Sequence, residues 1–467
     1  VVTVVAIAFA ALAVVASLHP VNDPDVFWLA RAGETLSTSH AVPTRNAWAF
    51  TDPNVPWVLH EPLFALLFFA GISTMGPAFA TLHGLFAGTL TLLASLRLSF
   101  ARTRAPARMA VGAFMLLLVA PTLFEPRPAF TAVLFAVLMT AVAFAPRWSV
   151  AHAATCVGLE LVWTNAHGSF PLGVLLLGVA SIEHRGRLPT AVAAGVVTLV
   201  NPYGLALYRL VLRYLAAGDE ASRVFHAHVV EFFPLLRASG TPYIHAGQLL
   251  AFGLLVAATA RSLLRGPRRG RAVLVALLVA MTFYQARHLT LAVVLGVLVL
   301  VTDDTDEEDP RVARVREARA VRLSLRSVVP GGIVGLALFL AAFATRRSAS
   351  WVGPSLGGPE LWHLAEALPP HARAYAPFQP SAVLLWASRA RGVTVFFDPR
   401  NDCYSAAVAR MGFELETPDV TDAAIRGDLA GPHTDYALVP EGGRVAHALS
   451  SWHVAAREGA WVALAAP

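Results

Sequence analysis

Long apolar runs separated by short polar clusters fill the chain as far as residue 345, at 1–18, 77–98, 109–124, 128–146, 149–164, 169–182, 188–206, 246–264, 271–285, 289–302 and 328–345. A helix needs about 20 apolar residues to cross a hydrocarbon core about 30 Å thick. These runs therefore predict an α-helical polytopic membrane protein with about 11 transmembrane helices, the shorter ones tilted or in thinned bilayer. One further run, "PLFALLFFAGISTM" (62–75), is too short to span and predicts a helix lying along the outer surface ahead of the second span. After residue 350 the pattern changes. "ARAYAPF", "GVTVFFD" and "TDYALVP" read as strands alternating with helices at "SAVLLWASRA", "DCYSAAVARM" and "GGRVAHALSS", and "HVAAREGAWVALAA" closes as a hairpin. This predicts a small C-terminal α/β domain.

Composition agrees with the pattern. At 56% hydrophobic and 14% charged, the chain is too apolar for a soluble globule. Arginine supplies all the Lys/Arg positions, in clusters at 97–108, 185–187, 261–271 and 311–326. Short loops rich in Arg stay cytoplasmic, and with 62–75 on the surface every cluster falls inside. The net charge of +6 then follows from topology and gives no sign of a nucleic-acid partner. The mixed-charge stretch 303–326 reads as a cytoplasmic loop. The domains expected are 1–348, transmembrane, with 19–76 as its first outer loop, and 349–467, extracytoplasmic. Cys156 and Cys403 imply no disulfide framework. The C-terminal part carries no Gly-rich phosphate loop or nucleophile elbow. The sequence opens on Val, so further N-terminal residues are expected before it.

The unusual polar residues gather on the predicted outer side: "NDPD" (22–25), "WVLHEP" (57–62), "EPRP" (125–128), "TNAHG" (164–168), "NPYG" (201–204), "HVVEFFP" (228–234) and "ARH" (286–288). Ionisable groups at membrane depth are costly and tolerated where they line a wet cavity, so one outward-opening cavity is expected. Each group also has a structural reading. Asp23 and Asp25 suit a helix N-cap, "NPYG" suits a helix terminator, and Asn165 with His167 suits a hydrogen-bonded helix end. Arg127 and Arg287 keep their charge and need an anionic partner, which is either Glu125 or Glu231 or a phosphate. Asp398, Arg400 and Tyr404 in "FFDPRNDCY" form either a site or a packed turn with a salt bridge.

A first span followed by a long outer loop opening on Asp-x-Asp resembles the GT-C membrane glycosyltransferases, which include oligosaccharyltransferase catalytic subunits, protein O-mannosyltransferases and lipid A aminoarabinose transferases. "DVFWLAR" (25–31) is similar to the Asp-x-aromatic-aromatic-x-x-Arg pattern of the oligosaccharyltransferase loop, and "WVLHEPLFALLFF" (57–69) resembles the juxtamembrane helix of the other two groups. "DPDVFWLARAGETL", "WVLHEPLF", "WTNAHGSF", "NPYGLALY", "ARHLTLAVV" and "DPRNDCY" look like a group of bacterial GT-C-like proteins, a likeness that covers nearly the whole chain.

The resemblance implies a GT-C-like bundle in the bacterial cytoplasmic (inner) membrane. It implies transfer of a sugar from a polyprenyl-phosphate lipid donor to a protein or glycan acceptor outside the cytoplasm. Inverting transfer needs a carboxylate to take the acceptor's proton and positive charge to stabilise the departing phosphate. Asp25 carries over as base or metal-proximal carboxylate with Asp23 supporting it, and Glu125 is the candidate second ligand of a divalent cation, Mg or Mn. Arg127, Arg287 and His288 would contact the donor phosphate. His60 and Glu61 would orient acceptor or donor, and Asn165 and His167 are further substrate contacts. The chain departs from the family in lacking Trp-Trp-Asp, which argues against asparagine glycosylation. It has His-Glu-Pro for His-Pro-Pro, and a single Glu125 for an acidic pair. A transporter or flippase would place polar groups near the midplane and in inverted repeats, and none is visible. A non-catalytic scaffold with this fold is the other alternative.

Overall fold

The computed structural model describes residues 19–103, 105–265, 269–301 and 348–467. The spans expected at 1–18 and 328–345 and the loop at 303–326 lie outside the described residues. In chain order the helices are α1 (Asp25–Ser39), α2 (Pro62–Met75), α3 (Ala78–Arg102), α4 (Pro106–Leu123), α5 (Pro128–Ala143), α6 (Val150–Ala166), α7 (Pro171–Glu183) and α8 (Leu188–Val197). They continue with α9 (Leu205–Ala216), α10 (Glu220–His228), α11 (Leu235–Ala238), α12 (Ala246–Arg265), α13 (Arg269–Tyr284) and α14 (Leu289–Gly296). The C-terminal part adds α15 (Gly358–Ala367), β1 (Arg373–Tyr375), α16 (Ser381–Ala387), β2 (Thr394–Val395), α17 (Ala406–Glu414), α18 (Asp422–Ala430), β3 (Tyr436–Pro440), α19 (Arg444–Ala448), β4 (His453–Glu458) and β5 (Trp461–Ala465). By contact the described chain divides into two compact units. The first holds Leu82–Gly204 and 229–301, and the second holds His19–Thr81, Leu205–His228 and 348–467.

The first unit is helical. Among the described residues three helices, Ala78–Arg102, Pro106–Leu123 and Ala246–Leu264, are long and apolar enough to cross a membrane, and Pro128–Ala143, Pro171–Glu183 and Gly270–Tyr284 are shorter apolar helices. Proline opens α4, α5 and α7, where its missing N–H removes no helix bond and its fixed φ is already helical. "GLFAG" puts Gly84 and Gly88 one turn apart on α3. A Cβ there would come within 2.4 Å of Phe124 O and Leu123 O respectively, so the two glycines let α3 lie directly on the end of α4. Three arginines that the sequence assigns only to cytoplasmic loops also close helix ends. Arg102 donates to Leu298 O (2.9 Å) and Thr140 O (3.0 Å), Arg187 to Ala143 O (2.5 Å) and Ala145 O (2.7 Å), and Arg271 is bidentate to Glu183. Arg102 and Arg187 thus donate to carbonyls at or near helix ends, and Arg271 pairs with the carboxylate of the last residue of α7.

The run at 188–206, expected to span, does not continue as one helix. It stops at Val197, and ten residues rise only about 15 Å. Asn201 explains the stop: its amide donates to Thr198 O (2.8 Å) and its Oδ1 accepts the Tyr203 N–H (2.9 Å), bonds that compete with a helical ladder. Pro202 cannot extend a helix, and Gly204 has φ +54°.

In the second unit α1 packs on α2, at the residues read from sequence as a surface helix. Gly33 makes the approach possible, since a Cβ there would lie 2.0 Å from Ala65 O. The sheet runs β2-β1-β3-β5-β4, with β2, β1 and β3 parallel and the β4–β5 hairpin antiparallel. The strands and the hairpin fall where the sequence predicts them. Helices α15 and α18 are additional, one preceding the first predicted strand and the other short and weakly patterned. Trp386, Phe396, Phe397, Leu438 and Tyr375 fill the core beside the sheet.

Candidate functional site

The candidate residues fall into two sets, one in each unit. In the first unit α4 ends in the turn Glu125–Arg127, where the Arg127 N–H donates to Glu125 O (2.8 Å) and Pro128 starts α5. Arg127 Nη1 lies 2.9 Å from Glu231 Oε2, and Arg287 Nη1 lies 3.7 Å from Glu231 Oε1. Glu231 and Arg287 sit on separate short 3₁₀ turns, Val230–Phe232 and Ala286–His288. The Ala286 N–H donates to Phe233 O (2.9 Å), and the Arg287 guanidinium lies 5.1 Å over the Phe232 ring. The two arginines therefore converge on one carboxylate through a backbone-fixed pair of turns. A small cavity beside them is lined by Thr122, Glu125, Tyr243, Gln248, Arg287 and Thr290.

Burial pushes the Glu231 carboxyl up, but Arg127 and Arg287 outweigh it and hold it below its ordinary value. Burial and then Arg287 lower the His288 imidazole to about 3, so His288 is neutral and offers a hydrogen bond without added charge. The Tyr243 phenol is raised, by burial first and then by Glu231. A depressed carboxylate contributes stability that is complete above its unfolded pKa and is lost as pH falls through the folded one. Glu231→Gln is thus expected to destabilise the protein by about 2 kcal/mol near neutral pH. The gap from wild type should close as pH drops below 4.5, the group's ordinary value. Thermal unfolding of both proteins between pH 7 and pH 3 checks this, and a gap independent of pH would count against it.

Asn165 and His167 end α6. The Asn165 amide donates to Leu161 O and Val200 O, both at 2.9 Å. His167 Nδ1 is 2.8 Å from Ser169 Oγ and accepts the Ser169 N–H at 3.1 Å. These are the local bonds of a capped helix end.

In the second unit Asp23 Oδ1 accepts the Asp25 N–H (2.9 Å) and so takes up the first N–H of α1. The Asp25 side chain itself does not cap. Its Oδ1 accepts the Trp28 indole N–H (2.9 Å), which fixes the carboxylate one turn along the helix. The Trp28 ring lies 6.5 Å from His60, whose Nε2 is 3.4 Å from Glu61 Oε1 and whose ring meets Tyr214 edge-on at 5.7 Å. Next to Tyr214, Arg213 binds Asp219 through two nitrogens (2.5 and 3.0 Å), Ser222 Oγ (3.0 Å) and the carbonyl of Asp402 (3.3 Å). Burial raises the Asp219 carboxyl, and the Arg213 and Ser222 hydrogen bonds more than reverse this, to about 2.

Arg213, Tyr214 and Asp402 join this set although the sequence reading did not single them out. Asp402 lay inside the flagged "DPRNDCY", and Arg213 and Tyr214 lie in an amphipathic stretch whose polar side was open to reading. The flagged residues themselves form a packed turn. Arg400 is bidentate to Asp398 (2.8 and 2.6 Å), donates to Asn46 Oδ1 (2.6 Å), and lies 4.5 Å and 4.7 Å over the Trp48 and Trp57 rings. The Tyr404 hydroxyl donates to Asp398 Oδ2 (2.6 Å), and all three side chains are buried. The salt-bridge reading fits this geometry.

Among the described residues no three His, Cys, Asp or Glu side chains gather to hold a metal ion. Asp23 and Asp25 are hard oxygen donors of the kind Mg²⁺ accepts when one or two carboxylates, water and substrate phosphate share its shell.

No protein-family model matches the chain, and no curated protein matches it. The fold is similar to solved structures. ArnT from Cupriavidus metallidurans bound to undecaprenyl phosphate aligns with a TM-score of 0.54 at 15% identity, covering 99% of this chain and 97% of that one. The Archaeoglobus fulgidus oligosaccharyltransferase in its apo form aligns at 0.51 and 11% identity, covering 93% and 69%. The same oligosaccharyltransferase in complex with Zn and sulfate aligns at 0.51 and 10%, covering 92% and 68%. The chain therefore shares its overall fold with these structures.

Proposed function

We propose that this protein is a membrane glycosyltransferase that moves a sugar from a polyprenyl-phosphate donor to a protein or glycan acceptor outside the cytoplasm. The observation that carries the reading is the convergence of Arg127 and Arg287 on a single point in a GT-C-like fold. Guanidinium groups match phosphate oxygens in geometry and keep their charge at any working pH. The ArnT structure, similar in fold, was solved with undecaprenyl phosphate bound, which supports a lipid donor.

In this reading Arg127 and Arg287 hold the donor phosphate and stabilise it as it leaves, with His288 a neutral hydrogen-bond partner. Asp25 takes the proton from the acceptor as it attacks the anomeric carbon. Asp23 keeps the start of α1, and with it Asp25, in place, while His60 and Glu61 orient the reacting group. Asn165 and His167 support the substrate from the helix end. Asp25 and Glu125 are the candidate carboxylates for a divalent cation, Mg²⁺ or Mn²⁺, which would supply further charge to the leaving group. The setting proposed is the bacterial inner membrane, with about 11 spans and residues 349–467 outside the cytoplasm.

Mass spectrometry of co-purifying lipids tests the donor. The wild type is expected to carry a polyprenyl phosphate, and the Arg127→Ala/Arg287→Ala protein to lose at least about 90% of it, the loss of two charge-assisted contacts. Bulk phospholipid alone, equal in both proteins, would contradict the reading and favour a non-catalytic scaffold.

A further inference from the structure

Arg127, Glu231, Arg287 and His288 all belong to the first unit, as do the residues lining the small cavity beside them. Glu231 pairs with both guanidinium groups, at 2.9 Å and 3.7 Å. It presents to them what a phosphate presents, anionic oxygens matched to the guanidinium fork. Three features separate this cluster from a structural ion pair such as Asp398–Arg400. It can be reached, since the Glu231 and Arg287 side chains are 14% and 28% exposed, against 0% for both partners of the buried pair. Glu231 stands on a three-residue 3₁₀ turn, so a change of rotamer takes it out of the pair with no helix to unwind. Finally, His288 shares a turn with Arg287 and lies within electrostatic reach of Glu231. Its Nε2 is buried with no hydrogen-bond partner among the described residues. Folded proteins satisfy nearly all such atoms, and the carboxylate engaged by two arginines leaves this one unmet.

We propose that the Glu231 carboxylate occupies the seat of the donor's phosphate in the empty protein and is displaced when a lipid phosphate binds. The incoming phosphate takes over Arg127 and Arg287 and, having more oxygens than a carboxylate, offers one to His288 Nε2. Every lipid phosphate must then break the internal pair, which weakens its apparent binding. The charges make this useful. Once the sugar leaves, the bare lipid is a phosphate monoester carrying about −1.5 to −2 at neutral pH, whereas the sugar-bearing diester carries a single negative charge. Two arginines alone would hold that product more tightly than the next donor. A carboxylate that returns to them replaces the charge they lose and lets the product go. This inference rests on the glycosyl-transfer reading above and gives Glu231 the exchange of lipids at its phosphate site.

The test uses the detergent-solubilised full-length protein and farnesyl phosphate as the probe, with inorganic phosphate and uncharged farnesol in parallel arms. Affinity is read from the concentration dependence of the unfolding temperature at pH 7. The proteins are wild type, Glu231→Gln, and Glu231→Gln combined with Arg127→Ala and Arg287→Ala. Without probe, Glu231→Gln should unfold earlier than wild type. It should nevertheless bind farnesyl phosphate at least about tenfold more tightly, because one charge-assisted contact no longer has to be broken first. The gain should vanish in the triple variant. If wild type binds farnesyl phosphate and Glu231→Gln binds it equally or more weakly, Glu231 is a structural partner and this inference alone is overturned. A gain that extends to farnesol, or survives in the triple variant, overturns it as well. Inorganic phosphate bound by Glu231→Gln as tightly as farnesyl phosphate overturns the lipid as the source of the phosphate. Farnesyl phosphate that binds neither wild type nor Glu231→Gln overturns the donor site of the glycosyl-transfer reading, and this inference with it.

Discussion

Asp25→Asn should lower sugar transfer by a factor of about 10²–10⁴, the range that a positioned general base contributes, while leaving the protein folded. The substitution is unusually clean at this position. Asparagine keeps the Oδ1 that accepts the Trp28 indole N–H, and the bond from the Asp25 N–H to Asp23 belongs to the backbone. The negative charge and the proton-accepting oxygen are lost. Unfolding temperature and retained polyprenyl phosphate should therefore match wild type while turnover does not. If turnover stays within twofold, Asp25 is an acidic residue in the first turn of α1 and no more. A residue there is worth about 0.3–1 kcal/mol through the helix dipole.

The largest loss of stability is expected at Asp398→Ala. It strands the Arg400 guanidinium, which is 1% exposed, between Trp48 and Trp57 with Asn46 as its remaining side-chain acceptor among the described residues. It also removes the acceptor of the Tyr404 hydroxyl. Breaking one half of a buried ion pair costs about 3–5 kcal/mol, because the remaining charge cannot regain water. Replacing both partners with apolar residues, Asp398→Leu with Arg400→Met, should recover part of that loss. The exposed pair Arg410–Glu220 serves as a control, and Arg410→Ala should cost less than about 1 kcal/mol. Thermal unfolding followed by tryptophan fluorescence reads all four proteins. A cost for Asp398→Ala as small as that of Arg410→Ala would contradict the reading of Asp398 and Arg400 as a buried, packed ion pair.

What could be read in advance depended on whether the deciding interaction was local. The helix at 62–75 was legible because a fourteen-residue apolar run opening on proline limits both its length and its start. The C-terminal hairpin was legible because alternation about Glu458–Gly459 fixes a turn, and Gly459 adopts φ +53° there. The run at 188–206 misled because hydropathy registers Thr198 and Asn201 as two tolerable polar residues, whereas their side chains take over the backbone bonds that would continue the helix. At the site, Arg127 and Arg287 stood out from sequence because a guanidinium at a span end needs a counter-ion. That Glu231 serves both required two separate 3₁₀ turns to meet, which no local pattern announces. Asp402 was hidden for the same reason. Its surroundings come from residues 60 and 213, distant in the chain, as well as from the neighbouring Arg400, and their assembly leaves its Oδ2 buried and unmet.

The central claim is that this chain turns over a polyprenyl-phosphate-linked sugar. The most direct measurement is the conversion of sugar-bearing polyprenyl phosphate to the bare lipid by purified wild type in nanodiscs, using the source cells' own lipid and acceptor extracts, with Asp25→Asn run in parallel. The account predicts bare polyprenyl phosphate accumulating with wild type and not with the variant. No conversion by wild type, or equal conversion by both proteins, would contradict it.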